Sequence, residues 1–285
     1  MSVERAIEPV RVELQHLVRS FVTGSKAPPS RLSDPDDPGL FEPESAIWRV
    51  HADVSMFIGG LRALLLQTLH EPTMTGVAAH SDYREDPLGR LRRTANFLGV
   101  TTYGPRSSAL ETIEAVKRIH DRVQGTLPDG TPYAANDPHL LGWVHATEVD
   151  SFLRAYQRYA TRRLDAAQAD EYVADMAVVA TLMGVVDPPT DCAALRTTLH
   201  GYRRELRVTS HTRNAVRFLL HPPFPLLARP TYNVIASAAV SLLPCYARRM
   251  LWLPVPPGIE PLMVRPVATA LMRTLGWALA PAPAG

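Results

Sequence analysis

Apolar residues recur every three or four positions along most of this chain, the spacing that lines one face of an α-helix. In "IEAVKRIHDRVQG" the face holds Ile113, Val116, His120 and Val123, while Arg118, Asp121 and Arg122 lie mostly opposite. The same spacing predicts helices over 3–22, from Pro43–Ser45 through "IWRVHADVS", and over 54–70, 138–161, 165–184, 191–206, 210–221, 229–243 and 260–279. On the 138–161 helix Leu141, His145, Val149 and Phe152 share one face. Strand-like alternation is scarce and no internal repeat is visible. The expected fold is mainly α: a single large helical domain of about nine to eleven helices.

Punctuation sets the boundaries. Asp86–Pro87 and Asp137–Pro138 each pair a capping carboxylate with a proline suited to the first helical position. Ser107 or Ser108 can cap the helix that carries His120, and Gly125 is expected to close it. Pro72 disfavours helix in the residue before it, so the apolar run 54–70 is expected to stop at "HEP". "TLPDGTPYAAND" reads as a connector, with Asp129–Gly130 suited to a tight turn. "SKAPPSRLSDPDDPGLFE" reads as a long loop or arm. The expected division is therefore 1–42 as an N-terminal helix and Pro/Asp-rich arm, 43–250 as the main helical domain, and 251–285 as a C-terminal capping helix.

Composition narrows the class. Of 285 residues, 46% are hydrophobic and 20% charged, as in a folded protein with a sizeable core. A net charge of +2 argues against a nucleic-acid surface. Cys192 and Cys245 are far apart, without the spacing of a disulfide framework or a thiolate metal knuckle. The start, "MSVERAIEPVRVELQ", lacks the apolar core of a secretory leader, and no apolar run reaches the length of a membrane span. The expectation is a cytoplasmic protein without a transmembrane span, with peripheral membrane contact left open.

The chemistry lies in the histidines, since Gly-rich phosphate loops, GxSxG, HExxH and CxxC are all absent. His51, His70, His120 and His145 fall on apolar helical faces. A neutral imidazole on an apolar helix is the minimal apparatus for a haem iron, with aliphatic neighbours such as Val116 and Val123 burying the porphyrin. "RLRRTANF" offers Arg90 and Thr94, four apart and side by side, with Thr94 bordering the stripe Leu88, Leu91, Ala95 and Leu98. A cation and a hydroxyl there could hydrogen-bond an oxygen species, or be an ordinary solvated face. A second reading pairs His145 with Glu148 as half of a di-iron site, with Glu111, Glu114 and Asp175 as further carboxylates.

"WRVHADVSMFIGGLRALLLQTLHEP", "HSDYREDPLGRLRRT", "RIHDRVQG" and "YAANDPHLLGWVHATEVDSFL", in this order over roughly residues 43–250, resemble the MpaB-type oxygenase family, which includes the catalytic domain of rubber oxygenase (latex clearing protein). The resemblance implies an all-α fold with a globin-like core, a non-covalent b-type haem, and oxygenation of an apolar substrate (isoprenoid, lipid or phenolic) with dioxygen. It implies His120 as the proximal iron ligand, His145 being the alternative, and Arg90 and Thr94 as the distal polar pair. Where rubber oxygenases carry a lysine just before that threonine, this chain has Arg93, which is always charged and binds iron poorly. Two other functions stay open: a haem protein without turnover (storage, sensing or peroxide handling), and a metal-free helical protein that binds lipid or membrane.

Overall fold

The computed structural model describes residues 36–256 and 258–279. The expected helix over 3–22 and most of the arm lie outside them. The described residues form twelve α-helices and one two-stranded sheet, so the fold is mainly α as the sequence predicts. The helices are α1 (Ala46–Ala52), α2 (Met56–Gln67), α3 (Glu71–His80), α4 (Pro87–Tyr103), α5 (Arg106–His120), α6 (Pro138–Tyr159), α7 (Ala166–Met183), α8 (Cys192–Gly201), α9 (Ser210–Leu220), α10 (Arg229–Leu242), α11 (Cys245–Met250) and α12 (Arg265–Leu279). The strands β1 (Gln124–Thr126) and β2 (Pro132–Ala134) pair antiparallel around Gly130, whose φ of +88° suits the glycine of the predicted turn.

Helix α6 is the axis of the fold. The carboxylate of Asp137 accepts the His139 N–H at 2.8 Å and Pro138 starts the first turn, so the helix begins where the sequence placed it. Its Trp143, Ala155 and Tyr159 join a core with α2, α10, α11 and α12. Its Ala146, Val149, Phe152, Leu153 and Tyr156 join a second core with α1 and α7. A helix serving two cores must be apolar on most sides, which is why α6 is buried around nearly its whole circumference. Helix α12 packs on α10 and α6, its Ala268, Met272 and Leu275 in the first core.

The tightest packing is between α2 and α6. A Cβ on Gly59 would lie 2.8 Å from Phe152 Cδ1, 3.0 Å from its Cα and 3.1 Å from the Ser151 carbonyl oxygen. At Gly60 the nearest atom would be Phe152 Cε1 at 3.8 Å, an ordinary contact. Gly59→Ala must therefore push the backbones of α2 and α6 apart and is expected to cost about 1–3 kcal/mol. Gly60→Ala is expected to be neutral or stabilising, by up to about 1 kcal/mol of helix propensity. Denaturant titration of the two variants checks this; equal effects would show that the helices do not interlock at Gly59.

Several boundaries differ from the sequence reading; the helix expected over 191–206 ends at Gly201, and that over 260–279 begins as α12 only at Arg265. The run 54–70 stops before "HEP" as expected, α2 ending at Gln67, but Pro72 is not the cause: it is one of the first residues of α3, with His70 extended before it. Helix α5 starts at Arg106 after Pro105, and Ser107 bonds Asp37 instead of capping. It also ends at His120, so Val123 follows the helix rather than continuing its face. Asn136 Nδ2 donates at 3.1 Å to the Lys117 carbonyl, which also accepts the Asp121 N–H, and the chain turns into β1. Gly125 is a strand residue over which the Tyr133 ring lies: a Cβ there would be 2.8 Å from the phenol oxygen.

Candidate functional site

Helices α4 and α5 pack side by side, with α4 also against α1 and α5 against α7. They bury little. Of seventeen residues α4 buries only Thr101 and Thr102; α5 buries only Ala109 and Ile113. Phe97 and Leu98 pack on the second core, yet Leu88 and Leu91 on α4 and Val116 on α5 are apolar and only half-buried. Apolar side chains left half-covered on two adjacent helices form the kind of wall that a flat hydrophobic group can close.

His120 stands at the end of α5 beside this wall. Its Nδ1 is buried and has no hydrogen-bond partner. Burial pulls the imidazole below its ordinary pKa, with Asn136 and Asp121 opposing, so the ring is neutral at pH 7. Val116 and Val123 flank it in sequence, and both are half-buried. Val123 lies by Gly76 of α3, where a Cβ would meet its methyl at 3.6 Å.

The residues of "RLRRT" point in different directions. The Arg90 guanidinium is half-buried and donates to Ser81 Oγ; burial lowers its pKa, as does neighbouring Arg93, against the effect of Tyr83. Thr94 is exposed, and its hydroxyl donates to the Arg90 carbonyl at 3.1 Å. A hydroxyl four residues on can bond back along its own helix as easily as inward. Arg93 is exposed and donates to Asp86 at 3.4 Å.

A second group of polar residues lies deeper, between α1, α4, α6 and α7. His51 Nδ1 is 2.8 Å from Thr102 Oγ1, and its Nε2 is 3.4 Å from the Tyr172 hydroxyl. Burial drives His51 down to about 3. Tyr172 is fully buried, and its pKa is raised by burial and then by Glu148, Asp175 and Tyr103 nearby. Burial lifts Glu148 to about 7 and lowers His145, whose Nε2 is buried and unpartnered, to about 4. A carboxyl poised near neutrality inside apolar walls is a group that can hold or release a proton under working conditions.

His51, Thr102, Tyr103 and Tyr172 were not assigned roles from the sequence. They come from three separate helices, and no local spacing joins them. The di-iron reading fails on its carboxylates: Glu111 and Glu114 are exposed, Glu114 bonds Lys117, and Asp175 accepts the Ile47 N–H at 3.2 Å. Among the described residues, three metal-ligating side chains converge elsewhere: His70, His139 and Glu205.

Fold and interior together define a class: a mainly α-helical domain that encloses unpaired imidazoles and a titratable carboxyl in apolar walls. Residues 48–277 match the family described as ER-bound oxygenase mpaB/B'/Rubber oxygenase, catalytic domain, and the chain belongs to that family. No curated protein and no solved structure matches it. Among the described residues no helix is long and apolar enough to cross a membrane.

Proposed function

We propose that the chain is a b-haem-dependent oxygenase acting with dioxygen on an apolar substrate of isoprenoid, lipid or phenolic type. Membership of the oxygenase family supports the reaction class. The observation that carries the cofactor is the buried, unpartnered Nδ1 of His120 beside the half-covered apolar faces of α4 and α5. The donor set fits the group: an uncharged imidazole nitrogen is free to ligate, and Val116, Val123, Leu88 and Leu91 offer aliphatic surface to a macrocycle. When bound, the haem supplies the iron redox chemistry that dioxygen needs to react with a closed-shell substrate.

The chain's own residues do the rest. His120 holds the group from the α5 end and stays unprotonated because burial disfavours its cation. Arg90, kept in place by Ser81, would contribute positive charge from the α4 side, suited to an anionic or polar oxygen ligand. Thr94 and Arg93 line the solvent edge of the same helix, suited to the site's mouth rather than its floor. Glu148, near neutrality, can hold or give a proton at its carboxyl oxygen.

The test is an absorption spectrum with metal analysis of the protein as isolated, then of His120→Ala and His145→Ala. The expected result is a Soret band in the parent and in His145→Ala, lost in His120→Ala. Loss only in His145→Ala transfers the ligand role to α6. A colourless, iron-free parent that folds normally defeats the haem reading. Oxygen uptake with isoprenoid and phenolic substrates then separates turnover from binding alone.

A further inference from the structure

His70, His139 and Glu205 are 69 and 66 residues apart in sequence, yet each offers a ligand atom within 4.8 Å of the other two. His139 Nε2 lies 2.6 Å from Glu205 Oε2, and His70 Nε2 lies 3.6 Å from the same oxygen. Ligands bound to zinc at about 2.0–2.2 Å stand roughly 3.4 Å apart in a tetrahedron, so the three atoms need only side-chain adjustments to enclose an ion.

The backbone builds this convergence without help from an ion. His70 and Leu206 form an isolated antiparallel bridge, and the Arg207 N–H donates to the Leu69 carbonyl at 2.7 Å. Those bonds hold Glu205, the residue before Leu206, close to His70. The Tyr202 hydroxyl donates to the His139 carbonyl at 2.7 Å, and the Glu205 N–H donates to the Tyr202 carbonyl at 2.9 Å. The start of α6 is thereby tied to the same turn.

The imidazoles are also oriented as ligands. His70 is 2% exposed, its ring packed near Trp143, Tyr202 and His139. Its Nδ1 is 2.8 Å from Thr73 Oγ1; donating there fixes the tautomer and leaves a lone pair on Nε2, the atom facing Glu205. The His139 ring lies on Tyr202 with centroids 4.6 Å apart. His139 and Glu205 keep about half their side chains in solvent, which gives an ion a way in. Beside them is a cleft of about 260 Å³ lined by Pro138, His139, Gly142, Val185, Pro188 and Tyr202.

We propose that His70, His139 and Glu205 form a second metal site, distinct from the His120 site, which binds a Zn²⁺-class divalent ion through three protein ligands and leaves a fourth position open beside this cleft. Two imidazoles and one carboxylate are a borderline-soft donor set, suited to Zn²⁺ or Co²⁺ and poorly suited to Ca²⁺ or Mg²⁺. With one position open, the ion can hold water or a small anionic or carbonyl ligand; with three segments joined, it also clamps the start of α6 to the turn after α8.

The test uses the full chain, stripped with chelator and titrated with Co²⁺ alone, reading the d–d bands in the visible, followed by Zn²⁺ competition. One equivalent per chain, with the intense absorption of four-coordinate Co²⁺ and displacement by Zn²⁺, is expected. His139→Ala and Glu205→Gln, both at exposed side chains that the fold tolerates, should each weaken binding at least tenfold. His211→Ala, an exposed histidine elsewhere, should leave it unchanged. A parent that takes up Co²⁺ only substoichiometrically, or variants at 139 and 205 that bind as tightly as the parent, overturns the proposal. His120→Ala should bind Co²⁺ normally, so failure of the haem reading and failure of this one are read separately.

Discussion

Asp150→Ala is expected to lower the free energy of unfolding by about 3–5 kcal/mol, among the largest single losses available in this fold. Arg62 is 1% exposed in the middle of α2. Its three donor nitrogens are all satisfied: Nη2 bonds Asp150 Oδ2 at 2.7 Å, Nη1 bonds Ser151 Oγ at 2.6 Å, and Nε bonds the Leu242 carbonyl at 2.9 Å. Arg154, more exposed, donates to the other Asp150 oxygen at 2.7 Å. Burial, and to a lesser extent Arg154, pulls the guanidinium pKa down, and Asp150 opposes that most strongly. Removing the carboxylate leaves a cation among Leu and Ile side chains with no anion to answer it. A domain with roughly 5–15 kcal/mol of total stability would lose about a fifth of it or more.

The pair itself is a different question from its breakage. Replacing Arg62 and Asp150 together by Met and Leu removes both desolvation costs, so the double variant should unfold within about 1–2 kcal/mol of the parent, or later. Equilibrium urea titrations of Arg62→Met, Asp150→Leu and the double give the coupling energy. A single Asp150→Ala variant within about 1 kcal/mol of the parent would mean that the guanidinium finds water or another acceptor. The same fork fixes the rotation of α6, because Asp150 and Ser151 meet Arg62 while Phe152 packs on Gly59. His145 and Glu148 inherit their orientation from that lock.

The sequence disclosed what is local. Asp86–Pro87 and Asp137–Pro138 marked the starts of α4 and α6, because a cap and an N1 proline act within four residues. His145, Val149 and Phe152 were placed on a buried face by period alone, and they are buried. What needs tertiary contact was not visible. Arg62 reads as a charge interrupting an apolar run until α6 supplies its partner. Pro72 reads as a stop until His70 is seen pairing with Leu206, which frees the next residue to begin α3. His120 shares a helical face with Val123 by spacing, but the helix ends at His120 and the chain turns into β1. His51 is one histidine among ten until Thr102 and Tyr172 fold onto its two nitrogens. Family motifs narrow the candidates to "RLRRT" and "RIHDRVQG", but only geometry separates the inward Arg90 from the outward Thr94 and Arg93.

Buried titratable groups make the stability of this protein depend on pH in two opposite senses, and His51→Asn and Glu148→Gln are expected to separate them. His51 has a folded-state pKa of about 3, below its unfolded value of 6.5. The unfolded chain binds the extra proton between these values, so stability from this group is present above pH 6.5 and is lost as the pH falls toward 3. At about 1.36 kcal/mol per unit the loss reaches at most about 5 kcal/mol. Glu148 has a folded-state pKa of about 7, above its unfolded value of 4.5. Here the native state binds the extra proton, so stability falls as the pH rises from 4.5 to 7, by at most about 3 kcal/mol. Between pH 4.5 and 6.5 the contributions of these two groups oppose each other, and His145, lowered to about 4, adds a further contribution of the His51 sign. The measurement is the unfolding free energy of each variant minus that of the parent, taken from about pH 4 to 8. For Glu148→Gln this difference should climb with pH up to about 7 and then level, since an uncharged amide replaces a carboxylate with no cation beside it. For His51→Asn, which can keep the bond to Thr102, it should climb toward acid below 6.5. A difference for Glu148→Gln that is flat in pH would place that carboxylate in water and remove it from the proposed proton chemistry.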